Sequence, residues 1–185
     1  MMTTTARAFR VYKLTRLPAD KDRQVDITVR EMMRITRVEA WNPEVRWLLH
    51  HLALPHYSEL ELAEAMTRYI RERLSFELDP DDVELVRTPS WYAKSIRAGA
   101  KPSGDCDDFA LLLATLLAAA GFGSLAYVVM ARRPGGREPF GHVFVAAGIR
   151  GKWEYFDPSV SRPYSTDGLR RKWYVLPWGA GPPAL

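Results

Sequence analysis

The chain has 185 residues, of which 47% are hydrophobic and 26% charged, the balance of an ordinary globular protein rather than of a disordered chain or a small disulfide scaffold. No apolar run approaches the roughly 20 residues of a membrane span, and the single cysteine, Cys106, excludes an intramolecular disulfide and any metal site built on several cysteines. Twenty-six Lys and Arg against twenty-two Asp and Glu leave a net charge of +4; the basic residues are scattered and carry no nucleic-acid-binding signature, so neither nucleic acid nor membrane is expected as a partner.

The length fits a single domain, 1–185. Apolar and polar residues alternate over Phe9–Thr15 and predict an edge strand. Residues 24–39 carry Ile27, Met32, Met33, Ile35 and Val38 at helical spacing. Asn42 as N-cap and Pro43 in the first helical position open a second helix, which runs to about Leu54 and stops at Pro55. Ser58 and Glu61 form a capping box for a third helix. Its stripe of Leu62, Ala65, Met66, Tyr69, Ile70 and Leu74 reads as core. Asp79-Pro80-Asp81-Asp82 is a turn, and Thr88-Pro89-Ser90 starts a helix that ends near Gly99.

After a loop at 100–104, Cys106 opens an Ala/Leu-rich helix that ends at Gly121 and Gly123. Strands follow at 125–130, 142–147 and 152–158, with turns at Arg133–Gly136 and Arg150-Gly151 between them. The Pro- and Gly-rich end, 177–185, reads as irregular. Helices set apart from an antiparallel meander make an α+β fold. The N-terminus, Met1 to Arg7, lacks the apolar stretch of a secretory signal, so an intracellular or virion protein is the expectation.

The functional question narrows to Cys106. The start of a helix carries free N–H groups and partial positive charge, which favour a thiolate, and the Cys106 N–H can serve as an oxyanion donor. Gly104 allows close approach of backbone or substrate. Asp105, Asp107 and Asp108 oppose a thiolate, although Asp107 and Asp108 also suit the first turn of a helix, so a reactive cysteine needs a cation nearby. His50, His51 and His56 flank an early helix end and read as surface or capping residues. His142 heads the apolar strand Val143-Phe144-Val145 and needs a polar partner. If Arg150-Gly151 is a two-residue turn, residue 149 pairs with 152 and His142 lies opposite 159. Asp157 then shares its face, a diagonal neighbour at about 7–8 Å, where a carboxylate could fix the imidazole tautomer.

Gly104-Asp105-Cys106-Asp107-Asp108-Phe109-Ala110, the helix end Leu116-Leu117-Ala118-Ala119-Ala120-Gly121-Phe122, Gly141-His142-Val143 and Trp153-Glu154-Tyr155-Phe156-Asp157-Pro158 together resemble the transglutaminase-like superfamily, which shares the papain-like cysteine protease fold. The resemblance covers about residues 85–160. It implies a core at 85–160, preceded by a strand and helices at 1–84 and followed by an extension at 161–185. It also implies Cys106 as nucleophile, His142 as general acid/base and Asp157 as orienting carboxylate, acting on a peptide or protein amide through a thioester, with no cofactor or metal. A peptidase or amidase is expected before a cross-linking enzyme. In that family an upstream side chain completes the oxyanion hole; Trp91 and Tyr92 are the candidates, with core packing as their competing role. Small members with a Gly-Asp-Cys-Asp-Asp segment are similar to proteins encoded in phages and prophages, which implies a cytoplasmic or virion-associated location and virion or other protein partners.

Two other readings stand beside this one. The same fold could serve as a non-catalytic structural or interaction module, with the N-terminal helices and the Pro/Gly-rich end as partner surfaces. Alternatively, Asp105, Asp107 and Asp108 with His142 could hold a divalent metal, although adjacent helical residues diverge by about 100° and converge poorly on one ion.

Overall fold

The computed structural model describes residues 11–14, 18–52, 57–80, 84–131, 139–161 and 168–177. Among the described residues every helix starts where the sequence supplies a cap. Asp20 accepts the Arg23 N–H to start α1 (Lys21–Glu39), so this helix begins earlier than its apolar spacing alone predicts. Asn42 accepts the Glu44 N–H at 3.0 Å and opens α2 (Pro43–Leu52). The Ser58/Glu61 capping box is fully formed at the head of α3 (Glu59–Arg73). Thr88 caps α4 (Pro89–Arg97), and Asp105 caps α5 (Cys106–Ala119) by accepting the Asp107 N–H. The expected helix stop at Leu54-Pro55 and His56 lie outside the described residues, as do Phe9 and Thr15, Asp81-Asp82, the turn at Arg133–Gly136 and the chain beyond Pro177.

Among the described residues the strands form three sheets. β1 (Val11–Leu14) pairs antiparallel with β3 (Glu84–Arg87), and β2 (Ser75–Phe76) pairs parallel with β4 (Ser103–Gly104). The main sheet takes the order β7 (Lys152–Phe156), β6 (Phe140–Ile149), β5 (Leu125–Ala131), β8 (Arg171–Val175), with every neighbour antiparallel. The expected meander is therefore present and extended by a fourth strand. β8 escapes a reading by alternation because the residues on its helix side, exposed Lys172 and buried Tyr174, are polar at their tips. Both bond Asp26 of α1, and Lys172 Nζ lies 2.5 Å from Asp26 Oδ1.

The fold is α+β, with the helices gathered on one face of the main sheet. α5 is the centre. It is buried from Asp107 through Ala118, as a helix that is apolar on all sides must be, and it packs against α1, α2, α3 and α4 as well as β5 and β6. Val143, Val145 and Ala147 of β6 join this helical core, while Phe144 and Ala146 pack on the opposite sheet face with Ala126, Val128 and Met130. One polar tie crosses the core: Thr36 Oγ1 of α1 and the Tyr127 hydroxyl of β5 lie 2.6 Å apart, both buried. Among the described residues no helix is long and apolar enough to cross a membrane.

Candidate active site

Cys106 occupies the first position of α5, half-buried against the core. The preceding backbone is fixed by β4, whose Gly104 carbonyl accepts the Glu77 N–H at 2.9 Å. Gly104 does allow a close approach, but by the protein itself. A Cβ there would collide with the Tyr92 hydroxyl and stand 2.7 Å from Asp108 Oδ2.

The three aspartates beside Cys106 have separate structural tasks. Asp105 caps the helix, and Asp107 Oδ1 accepts the Asp108 N–H at 2.7 Å. Asp108 faces away toward β3, where its oxygens accept the Arg87 N–H at 2.9 Å and the Arg87 guanidinium at 2.7 Å. Burial pushes the Asp108 carboxyl up to about 7, against the pull of the Arg87 N–H and the Arg87 charge. Burial opposes the Arg87 charge as well, yet Asp108 holds the guanidinium above its ordinary value. Arg87 therefore stays a cation and Asp108 is the member that takes up a proton. Oxygens of Asp105, Asp107 and Asp108 lie within 4.8 Å of one another. His142 is not a member of that group; its Nε2 pairs with Asp157.

His142 sits near the start of β6. Met130 pairs with His142 and Ala131 with Phe140, which leaves Gly141 as an extra residue in the ladder. The bulge falls between Phe140 and His142, so from His142 onward the strand keeps the regular alternation with β5. The Arg150-Gly151 turn has φ of 50° and 79° at its two residues, the positive pair of a two-residue hairpin turn. Ile149 pairs with Lys152 and Val145 with Phe156, which is the register expected from the sequence. Just past the ladder, His142 Nε2 and Asp157 Oδ2 lie 2.6 Å apart. The His142 ring stacks on Phe144, with centroids 6.3 Å apart, and Phe144 meets Tyr155 edge-on.

Asp157 is held on its other sides too. Its Oδ1 accepts the Ser159 N–H at 3.0 Å and the Ser159 hydroxyl at 2.7 Å, and its backbone carbonyl accepts Arg71 Nη2 at 3.0 Å. Sequence reading missed both partners. Ser159 had a signal, since an Asp two residues before a Ser is a side-chain-closed turn; Arg71 lies on α3 and had none.

Of the two upstream aromatics, Tyr92 is fully buried and its hydroxyl donates to the Ser103 carbonyl at 3.0 Å. Burial pushes that hydroxyl's pKa far up, so it remains protonated. Trp91 is half-buried, edge-on to Tyr92 at 5.0 Å. His50 and His51 stand in the last turn of α2, where His51 stacks on Trp47.

No protein-family model and no curated protein matches the chain. Among solved structures it is similar to a putative protease from Parabacteroides distasonis ATCC 8503, with TM-score 0.52 and 20% identity over 80% of this chain and 29% of that one. It is also similar to a putative cysteine protease from Cytophaga hutchinsonii, with TM-score 0.52 and 16% identity over 76% of this chain and 45% of that one. The chain spans less than half the length of either structure, and likeness at this identity shows a shared fold.

Proposed function

We propose that the protein is a cysteine-dependent amidase or peptidase with a transglutaminase-like, papain-like arrangement in which Cys106, His142 and Asp157 form the catalytic group. The observation that carries the reading is the 2.6 Å pairing of His142 Nε2 with Asp157 Oδ2, at the end of a hairpin whose neighbouring strand packs on the helix that Cys106 opens. The fold shared with two putative proteases supports it.

With Nε2 donating to an ionised carboxylate, Nδ1 is the nitrogen that exchanges a proton with the thiol. The Cys106 thiolate attacks the amide carbonyl to form a tetrahedral oxyanion, which the Cys106 N–H would stabilise together with Trp91; the Tyr92 hydroxyl is already committed to Ser103. His142 gives its proton to the nitrogen as the C–N bond breaks, leaving a thioester and a free amine. Water, deprotonated by His142, then attacks the thioester, releasing the acid and restoring the thiol.

The test is the rate of Cys106 alkylation by iodoacetamide against pH, which reports one site because the chain has one cysteine. The expected result is fast alkylation well below the ordinary thiol range of about pH 8.5, lost in His142→Ala. Alkylation that follows an ordinary thiol curve, unchanged by His142→Ala, overturns the proposal and favours a non-catalytic interaction module.

A further inference from the structure

We infer that Arg71 and Ser159 are positioning residues that clamp Asp157 from two sides and so hold His142 in its working orientation; this rests on the catalytic reading above. A carboxylate can rotate about its last bond and offer either oxygen. Here the two oxygens are assigned. Oδ1 takes two hydrogen bonds from Ser159, at 3.0 Å and 2.7 Å, and Oδ2 is left directed at His142 Nε2. Ser159 is two residues along the chain, so the turn that ends β7 also sets the carboxylate's rotation.

The backbone is fixed separately. Arg71, in the last turn of α3, reaches the carbonyl of Asp157 through Nη2. This bond ties the end of β7 to a helix that also packs on α5, so the carboxylate and the helix carrying Cys106 share one frame. The guanidinium gives up something to do so: its Nε is buried with no hydrogen-bond partner among the described residues. A buried unpaired donor is costly, which is understandable where the group is held for its contact with Asp157.

The experiment uses the full chain and two readouts. One is the downfield ring N–H proton of His142 by NMR, assigned by its absence in His142→Gln. The other is Cys106 alkylation below about pH 8.5. In Ser159→Ala and Arg71→Met the ring proton should broaden or vanish, and alkylation should fall about tenfold, the effect of one charge-assisted hydrogen bond. Ser159→Thr and Arg71→Lys should restore most of both signals, which a role in stability alone would not produce. If Arg71→Met does not fold, Ser159→Ala, at a half-buried position in a turn, carries the test. The clamp is overturned if folded Ser159→Ala and Arg71→Met keep both readouts, or if the wild type shows no such ring proton. The two proposals fail separately: a ring proton that responds to the clamp beside an unreactive Cys106 removes the catalytic reading alone.

Discussion

Arg87 holds both carboxylate oxygens of Asp108, its backbone N–H at 2.9 Å from Oδ1 and its guanidinium at 2.7 Å from Oδ2. One residue of β3 thereby anchors the first turn of α5 from beneath, two positions after Cys106. Tyr92 and Gly104 close the same cluster from α4 and β4. The cysteine's placement rests on this buried polar floor as much as on apolar packing.

Gly104→Ala should destabilise the fold. Its Cβ would stand 2.7 Å from Asp108 Oδ2 and 2.8 Å from Asp108 Cβ, and against the Tyr92 hydroxyl. Asp108 cannot retreat without releasing Arg87. The expected loss is about 1–3 kcal/mol, read as a lower urea midpoint with unchanged slope. Tyr92→Phe in the same chain should return part of it by removing one colliding atom. A midpoint equal to the wild type's would mean that the cluster relaxes freely.

Asp108 also makes stability depend on pH in a definite sense. Burial raises its carboxyl from 3.8 to about 7 in the folded chain. Between those values the folded state keeps a proton that the unfolded state has lost. The contribution of Asp108 is therefore complete below pH 3.8 and is lost as pH rises through about 7, with a slope of at most about 1.4 kcal/mol per pH unit. Asp108→Asn has no such proton, so the variant should gain on the wild type as pH rises across this window. Urea titrations of both chains at several pH values measure it; parallel curves would show Asp108 ionised throughout beside Arg87.

What could be read from the sequence was local or set by a short turn. The caps at Asn42, Ser58 and Thr88 involve residues a few positions apart, so their chemistry is written in adjacent letters. The register that brings Asp157 to His142 follows from two turn residues, Arg150 and Gly151. What could not be read depends on partners distant in the chain. β3 is a strand because β1 pairs with it, and β8 because it pairs with β5, with Lys172 and Tyr174 held by Asp26 of α1. Asp108 looks like an ordinary acidic residue in a helix's first turn until Arg87 arrives from a separate strand. Arg71 reaches Asp157 from a helix whose sequence shows only its own amphipathic stripe.

The Thr36–Tyr127 pair gives an asymmetric prediction. Thr36 donates its one hydroxyl proton to the Met32 carbonyl at 2.9 Å, so the bond at 2.6 Å must use the Tyr127 proton. Thr36→Val strands the Tyr127 hydroxyl in the core and should cost about 1–3 kcal/mol. Tyr127→Phe leaves Thr36 bonded to Met32 and should cost about 0.5–1.5 kcal/mol. The double variant should cost less than the two losses added together, because the stranded hydroxyl is gone. Equal single losses that simply add would show that the two groups are not coupled.

The turn between β6 and β7 links a local stability change to the candidate site. Arg150 adopts φ 50° and Gly151 φ 79°, a conformation that Asn and Gly enter readily and β-branched residues resist. Arg150→Asn should stabilise the hairpin by about 0.5 kcal/mol, since the unfolded chain then samples the turn more often. Arg150→Val should cost about 1–2 kcal/mol and loosen the register between Val145 and Phe156, the last pair before His142 and Asp157. The measurement is the unfolding free energy together with the exchange rate of the His142 ring proton. Slower exchange in Arg150→Asn and faster exchange in Arg150→Val would tie the turn to the pairing of imidazole and carboxylate. If stability changes while exchange stays constant, Ser159 and Arg71 hold Asp157 on His142 without help from the hairpin.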